Sequence, residues 1–354
     1  MLLKRLLLAS SLLLCLCIAT VAAQDATPEA TPSEPSAEVT VEATVEATAE
    51  ATAEPTQEAT VESTSEATAE ATPAPRFEVP GTYAVRQPVL NLVRQYIVHV
   101  PAKYFEMKEP VPLLLVLHGA GGTGQGIESY SGFDALSDKE GFIVAYPDGI
   151  NTAWNDDRGD ESSIIDDIGY LSHLIDSVAE KANIDLTRVY AVGYSRGGMM
   201  SYRLGCVLPT KFAAVASVAS TFPMYLLLAC QNAPPKAVMI IQGTDDPIVP
   251  WMGIDTAYFS ASDSLKFWGQ HNRCAVLGPI KEAVDLSPLD GTRLLVQEGS
   301  KCQQPIVLYS VFHGGHTWPG HPVQAPFDLG LTSMDFDAAV AIWDFFKQQS
   351  LKPA

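Results

Sequence analysis

Two kinds of apolar run alternate along the chain from about Arg76 onward. Short, nearly unbroken runs, Val111 to Leu117, Val189 to Val192, Ala237 to Ile241 and Ile306 to Val311, read as strands covered on both faces. Between them, apolar residues recur at helical spacing. Ile164, Ile168, Leu171, Ile175 and Val178 make one stripe, and Phe336, Val340, Trp343 and Phe346 make another near the end. Strands buried on both faces need helices to cover them. The pattern therefore predicts a single α/β domain over residues 76–354, a mostly parallel sheet flanked by helices.

Before residue 76 that pattern vanishes. Residues 1–23 have a basic start (Lys4, Arg5), a leucine-rich middle and a Val21-Ala22-Ala23 end, the layout of a signal peptide. The apolar stretch is also just long enough to stay as an anchor, although removal, with no stable membrane insertion, is the expectation. Residues 24–75 contain small, polar, acidic and proline residues with scattered valines, and a glutamate at every fourth position from Glu34 through Glu70. A helix would stack those like charges. With no large apolar side chain to offset the ordering entropy, the stretch predicts a disordered tether. The chain thus reads as secreted or tethered at the cell surface.

The tether changes the meaning of the charge. The whole chain carries −19, of which residues 24–75 supply twelve acids and no base. What remains on the domain is mildly acidic and unsuited to nucleic acid. Four cysteines follow the tether: Cys206, Cys230, Cys274 and Cys302. An even number in an exported chain favours disulfides, and proximity in sequence pairs Cys206 with Cys230 and Cys274 with Cys302.

Candidate chemistry gathers where the predicted strands end, as it does in open α/β sheets. The strand at Val189 runs into Gly193-Tyr194-Ser195-Arg196-Gly197 and then a helical segment. This is the strand, tight turn and helix that exposes a serine nucleophile, with glycines where a Cβ would crowd the turn. Such a serine needs a histidine to take its proton and a carboxylate to orient the histidine. The strand at Ala237 ends in Gly243-Thr244-Asp245-Asp246-Pro247, and the one at Ile306 in His313-Gly314-Gly315-His316. The strand at Val111 ends in His118-Gly119-Ala120-Gly121-Gly122, a loop able to aim amides at a developing oxyanion.

These segments, with Trp154-Asn155 and Asp166-Asp167, resemble secreted esterases of the polyhydroxybutyrate depolymerase and feruloyl esterase group, in carbohydrate esterase family one of the α/β hydrolases. The resemblance implies Ser195 as nucleophile, Asp246 as the acid, His316 as the base, and the amides of Ala120 and Arg196 as the oxyanion hole. It implies a small or polymer-linked ester as substrate, ferulate on plant polysaccharide first and a hydroxybutyrate polymer or oligomer second. The chain departs from many members in having Gly159-Asp160-Glu161 where they have cysteines.

Rival assignments sit beside each of these. His313 and His321 share the loop of His316. Asp245 adjoins Asp246, which the following Pro247 biases toward an extended backbone. His118 reads as a structural hydrogen-bonding residue, while His99, His173 and His271 point to no site. Trp154 and Trp318, both in loops near the site, are expected to floor a substrate pocket; Trp251, Trp268 and Trp343 are expected to pack. The acids from Asp156 to Asp167 lack calcium-loop spacing and read as a solvated loop and helix start. No metal and no cofactor is called for. A reading of another class is a non-catalytic cell-surface binding protein on a hydrolase scaffold, which a fluorophosphonate probe would expose by failing to label the folded protein.

Overall fold

The computed structural model describes residues 76–322 and 328–352; the segments read as signal peptide and tether lie outside them. Eleven strands form one sheet: β1 (Gly81–Val89), β2 (Leu92–Val100), β3 (Val111–Leu117), β4 (Ile143–Pro147), β5 (Ile184–Tyr194), β6 (Ala214–Val218), β7 (Ala237–Gly243), β8 (Val276–Leu277), β9 (Lys281–Glu282), β10 (Arg293–Ser300) and β11 (Ile306–Phe312). Their order is β1-β2-β4-β3-β5-β6-β7-β11-β10-β8, with β9 also on β10. From β4 to β11 every pairing is parallel; the strands outside that block are antiparallel.

The parallel block is double-faced, as its unbroken apolar strands require. Every residue of β3 is buried. Leu113, Leu115 and Leu117 enter one core, and Leu114 and Val116 enter the other, because successive side chains on a strand point to opposite faces. The first core is covered by α3 (Asp167–Lys181), α4 (Arg196–Val207) and α6 (Ala261–His271). The second is covered by α1 (Gly124–Ser131), α2 (Phe133–Glu140) and α7 (Ala338–Phe346). A short α5 (Leu227–Gln231) follows β6. Among the described residues no helix is long and apolar enough to cross a membrane.

Two of the predicted stripes need correction at one position each. Ile164 lies in a one-turn 3-10 helix (Glu161–Ile164) that ends in extended backbone at Ile165, so it falls out of register with α3 and is 90% exposed. Val340 lies on the outer side of α7, while Trp343 and Phe346 are buried. Both disulfides form with the pairing expected. Cys206–Cys230 ties the end of α4 to α5, and Cys274–Cys302 ties the chain after α6 to the approach of β11. Each closes a loop of more than twenty residues, which restricts the unfolded chain.

The acids of 156–167 are also corrected, because two of them are fully buried. Asp166 caps α3, accepting from Gly169 N at 2.7 Å. Asp167 turns inward and takes Arg94 Nη2 at 2.6 Å and Asn155 N at 2.7 Å, while the Arg94 guanidinium lies 3.7 Å over the Tyr170 ring. One carboxylate thus joins β2, the 155 loop and α3. Removing one partner of a buried pair strands the other charge. Asp167→Ala is expected to cost about 3–5 kcal/mol, measured as a lowered urea midpoint; a midpoint unchanged from wild type would refute the role.

Candidate active site

The turn after β5 is built from close approaches. A Cβ on Gly193 would lie 2.1 Å from the Gly197 carbonyl, and one on Gly197 would lie 2.3 Å from the Leu117 carbonyl oxygen. Only glycine lets α4 begin that near the strand ends. Between them Ser195 is held at φ 54° and ψ −121°, a backbone conformation that costs energy outside a functional turn. Its own N–H donates to Val218 O at 2.9 Å, which fixes the turn against β6.

The loop after β3 packs directly on this serine. A Cβ on Gly119 would sit 3.3 Å from Ser195 Cβ. The Gly121 and Gly122 amides are taken by Thr152 O and Gly119 O. Those of Ala120 and Arg196 have no acceptor among the described residues. They are the two amides expected to face an oxyanion.

His118 holds that loop. Its Nδ1–H donates to Gly119 O at 2.7 Å, and its Nε2 accepts from Gly149 N at 3.0 Å. Acceptance at Nε2 requires the neutral ring, and burial pushes its pKa down. In the unfolded chain the histidine protonates near pH 6.5. The contribution of the neutral ring is therefore complete above about 6.5 and is lost as pH falls below it toward the lower folded pKa. We expect unfolding free energy to drop as pH falls below about 6.5, with a shallower drop in His118→Gln; equal slopes in the two proteins would count against it.

Asp246 and His316 meet at the ends of β7 and β11. His316 Nδ1–H donates to Asp246 Oδ2 at 2.8 Å, with both side chains buried. The carboxylate is fully satisfied: Oδ2 also accepts from Gln242 Nε2 at 3.0 Å, and Oδ1 accepts the Ile248 and Val249 amides at 2.8 Å each. The rivals pair elsewhere. Asp245 faces His313 at 3.0 Å with both exposed, and His321 faces Asp337 at 3.1 Å.

Tyr194 joins the two halves. It precedes Ser195, its hydroxyl donates to His316 O at 2.6 Å, and its ring centroid lies 5.0 Å from that of His316. Burial, with the Asp246 charge adding to it, pushes the Tyr194 phenol up, so it stays a donor. Ser195 Oγ makes no hydrogen bond to His316 among the described residues.

The two tryptophans differ in role. Trp154 is fully buried, with its indole N–H donating to His118 O at 2.9 Å and its ring 4.8 Å from the His118 ring. This corrects its expected place in a pocket floor: the indole needs a buried acceptor and finds it at the start of the loop after β3. Trp318 does line a pocket, of about 130 Å³, with Tyr130, Tyr194, Thr317, His321 and Leu329. Its Nε1–H has no partner among the described residues.

Sequence reasoning missed Tyr194, Gln242 and the ring around Asp156. That buried carboxylate accepts from Arg158 at 2.8 and 2.6 Å and from the Tyr225 hydroxyl at 2.6 Å, and it stands 3.3 Å from Arg196 Nη2. Tyr194 lies inside the Gly-x-Ser-x-Gly motif and could have been asked about. Tyr225 is 69 residues from Asp156 and gave no local signal.

Residues 105–273 match the family model described as phospholipase/carboxylesterase. NocK of Nocardia uniformis subsp. tsuyamanensis, a protein named as an esterase, is 30% identical over 73% of this chain and 80% of its own. Feruloyl esterase C of Emericella nidulans is 27% identical over 72% and 83%. Among solved structures, an acetyl xylan esterase from Aspergillus awamori superposes with a TM-score of 0.52 at 13% identity, over 75% of this chain and 99% of that one, a likeness of fold. The chain belongs to the phospholipase/carboxylesterase family of α/β hydrolases and is a carboxylic ester hydrolase.

Proposed function

We propose that the chain is an exported serine esterase that works through Ser195, His316 and Asp246 on aryl esters, ferulate linked to plant polysaccharide foremost. The observation that carries the catalytic assignment is the buried Asp246–His316 bond, tied to the Ser195 turn by the hydroxyl of Tyr194, the residue before Ser195. In this reading His316 Nε2 takes the Ser195 proton as Oγ attacks the ester carbonyl. The Ala120 and Arg196 amides hold the oxyanion, and His316 returns the proton to the departing alcohol. Water then repeats the cycle on the acyl-enzyme. Two disulfides support an oxidising destination.

Support for an aryl acyl group comes from the Trp318 pocket. Its walls are mostly aromatic, and its volume approaches the ~150 Å³ that holds one benzene ring. Its lining includes Tyr194, next to Ser195 in sequence, and Thr317, next to His316. Relatives named as feruloyl esterases point the same way. The test compares methyl ferulate, p-nitrophenyl acetate and a 3-hydroxybutyrate oligomer in wild type and Ser195→Ala. A Ser195-dependent preference for ferulate is expected. Preference for the oligomer would move the enzyme to polyester, and activity on acetate alone would leave only a general esterase.

A further inference from the structure

We propose that Gln242 is a positioning residue for the acid, holding Asp246 Oδ2 where His316 needs it; this rests on the Ser195, His316 and Asp246 reading and deepens it. Gln242 is out of character with its strand. β7 runs Ala237-Val238-Met239-Ile240-Ile241-Gln242-Gly243 and is buried throughout. Val238 and Ile240 enter the first core, and side-chain alternation puts Gln242 on the same face. An aliphatic residue is what that pattern calls for. The carboxamide is instead fully buried, and its Oε1 has no partner among the described residues. A buried acceptor without a donor is costly, so packing gives no reason for a glutamine.

The nitrogen end of the amide supplies one. Gln242 Nε2 lies 3.0 Å from Asp246 Oδ2 and 2.7 Å from Val249 O. Both oxygens are acceptors, so only the NH₂ can face them, with one hydrogen for each. Asp246 Oδ1 accepts the Ile248 and Val249 amides, while Gln242 donates to the Val249 carbonyl. Val249 is thus held at both ends, and the turn after β7 is closed around the carboxylate. Oδ1 is fixed by backbone groups. Oδ2 is the oxygen that His316 uses, and Gln242 is its one other partner among the described residues. The amide itself is carried by β7, which lies between β6 and β11 in the parallel block. Without it, Oδ2 would be placed only by the histidine it is meant to orient.

The test is Gln242→Met in the full chain, which keeps the length of the side chain and removes the donor. On p-nitrophenyl acetate, kcat should fall about 10- to 100-fold with KM little changed, the scale on which a small misplacement of a catalytic group acts. The far-downfield NMR line of the His316 Nδ1 proton should broaden relative to wild type, as the looser pair lets it exchange with water. An Asp246→Asn background separates positioning from a general structural part. There Gln242→Met should lower kcat no further, because residues that act as a unit do not add. A wild-type kcat, an unchanged NMR line or full additivity overturns the proposal. Gln242→Asn, one methylene too short to span both acceptors, should show the same losses and decides the question if the methionine variant gives no urea transition. The triad reading fails by a different result. A fully active Asp246→Asn protein would refute it, whereas a crippled Asp246→Asn beside a fully active Gln242→Met would refute the positioning role alone.

Discussion

Ser195→Ala should lower ester hydrolysis by about 10³-fold or more while leaving the protein folded. The reason lies in how little else the side chain does. Its Oγ joins no hydrogen bond with a described residue, and the turn is held by the Ser195 amide on Val218 O and by the glycines on either side. Alanine fits the same Cβ position. Loss of activity should therefore come without loss of stability, seen as an unchanged urea midpoint beside a collapsed kcat. Residual turnover should reflect binding and the two free amides, which continue to stabilise attack by water. A variant that keeps most of its activity would sink the serine mechanism; so would a folded wild type that a fluorophosphonate probe never labels.

What the sequence told, and what it hid, divides by distance along the chain. The sheet was legible where a parallel strand announces itself in four to seven contiguous apolar residues: β3, β5, β7 and β11 fall where those runs do. The Ser195 turn was legible for the same reason, since its steric demands are met by glycines two residues away. Choosing Asp246 over Asp245 was harder. Both lie in one turn, and each pairs with a histidine of the same partner loop. Burial separates them, and burial belongs to the fold.

Features that depend on distant partners mislead a local reading. Asp156 and Asp167 look like surface acids until Arg158, Arg196 and Tyr225 surround one and Arg94 reaches the other across 73 residues. Trp154 lies beside the loop after β3 but faces inward, and nothing local says which acceptor an indole N–H will find. Ile164 breaks its stripe because a single 3-10 turn shifts the phase before α3 begins. In each case the residue type is informative and its direction is not.

The sharpest test of the acid is the contrast between two adjacent aspartates. Asp246→Asn should cost about 10⁴-fold in kcat, and Asp245→Asn should stay within a few-fold of wild type. The hydrogen bonds at Asp246 dictate the outcome. Its Oδ1 takes two backbone amides, so the oxygen of an asparagine would keep that place. The new NH₂ must then occupy the position of Oδ2, facing Gln242 Nε2 and His316 Nδ1. It would donate to His316 Nδ1 and move the ring proton to Nε2, the atom that should receive the proton of Ser195. The base would hold the wrong tautomer in an intact site. Activity should recover partly at high pH, where hydroxide can take over the role of the base, while KM changes little. Asp245 pairs with His313 at the surface, where exposed pairs contribute on the order of 0–1 kcal/mol, and among the described residues no hydrogen bond links that pair to Ser195. If Asp245→Asn were the crippling change and Asp246→Asn the mild one, the assignment of the acid would be reversed and His313 would take the place of His316.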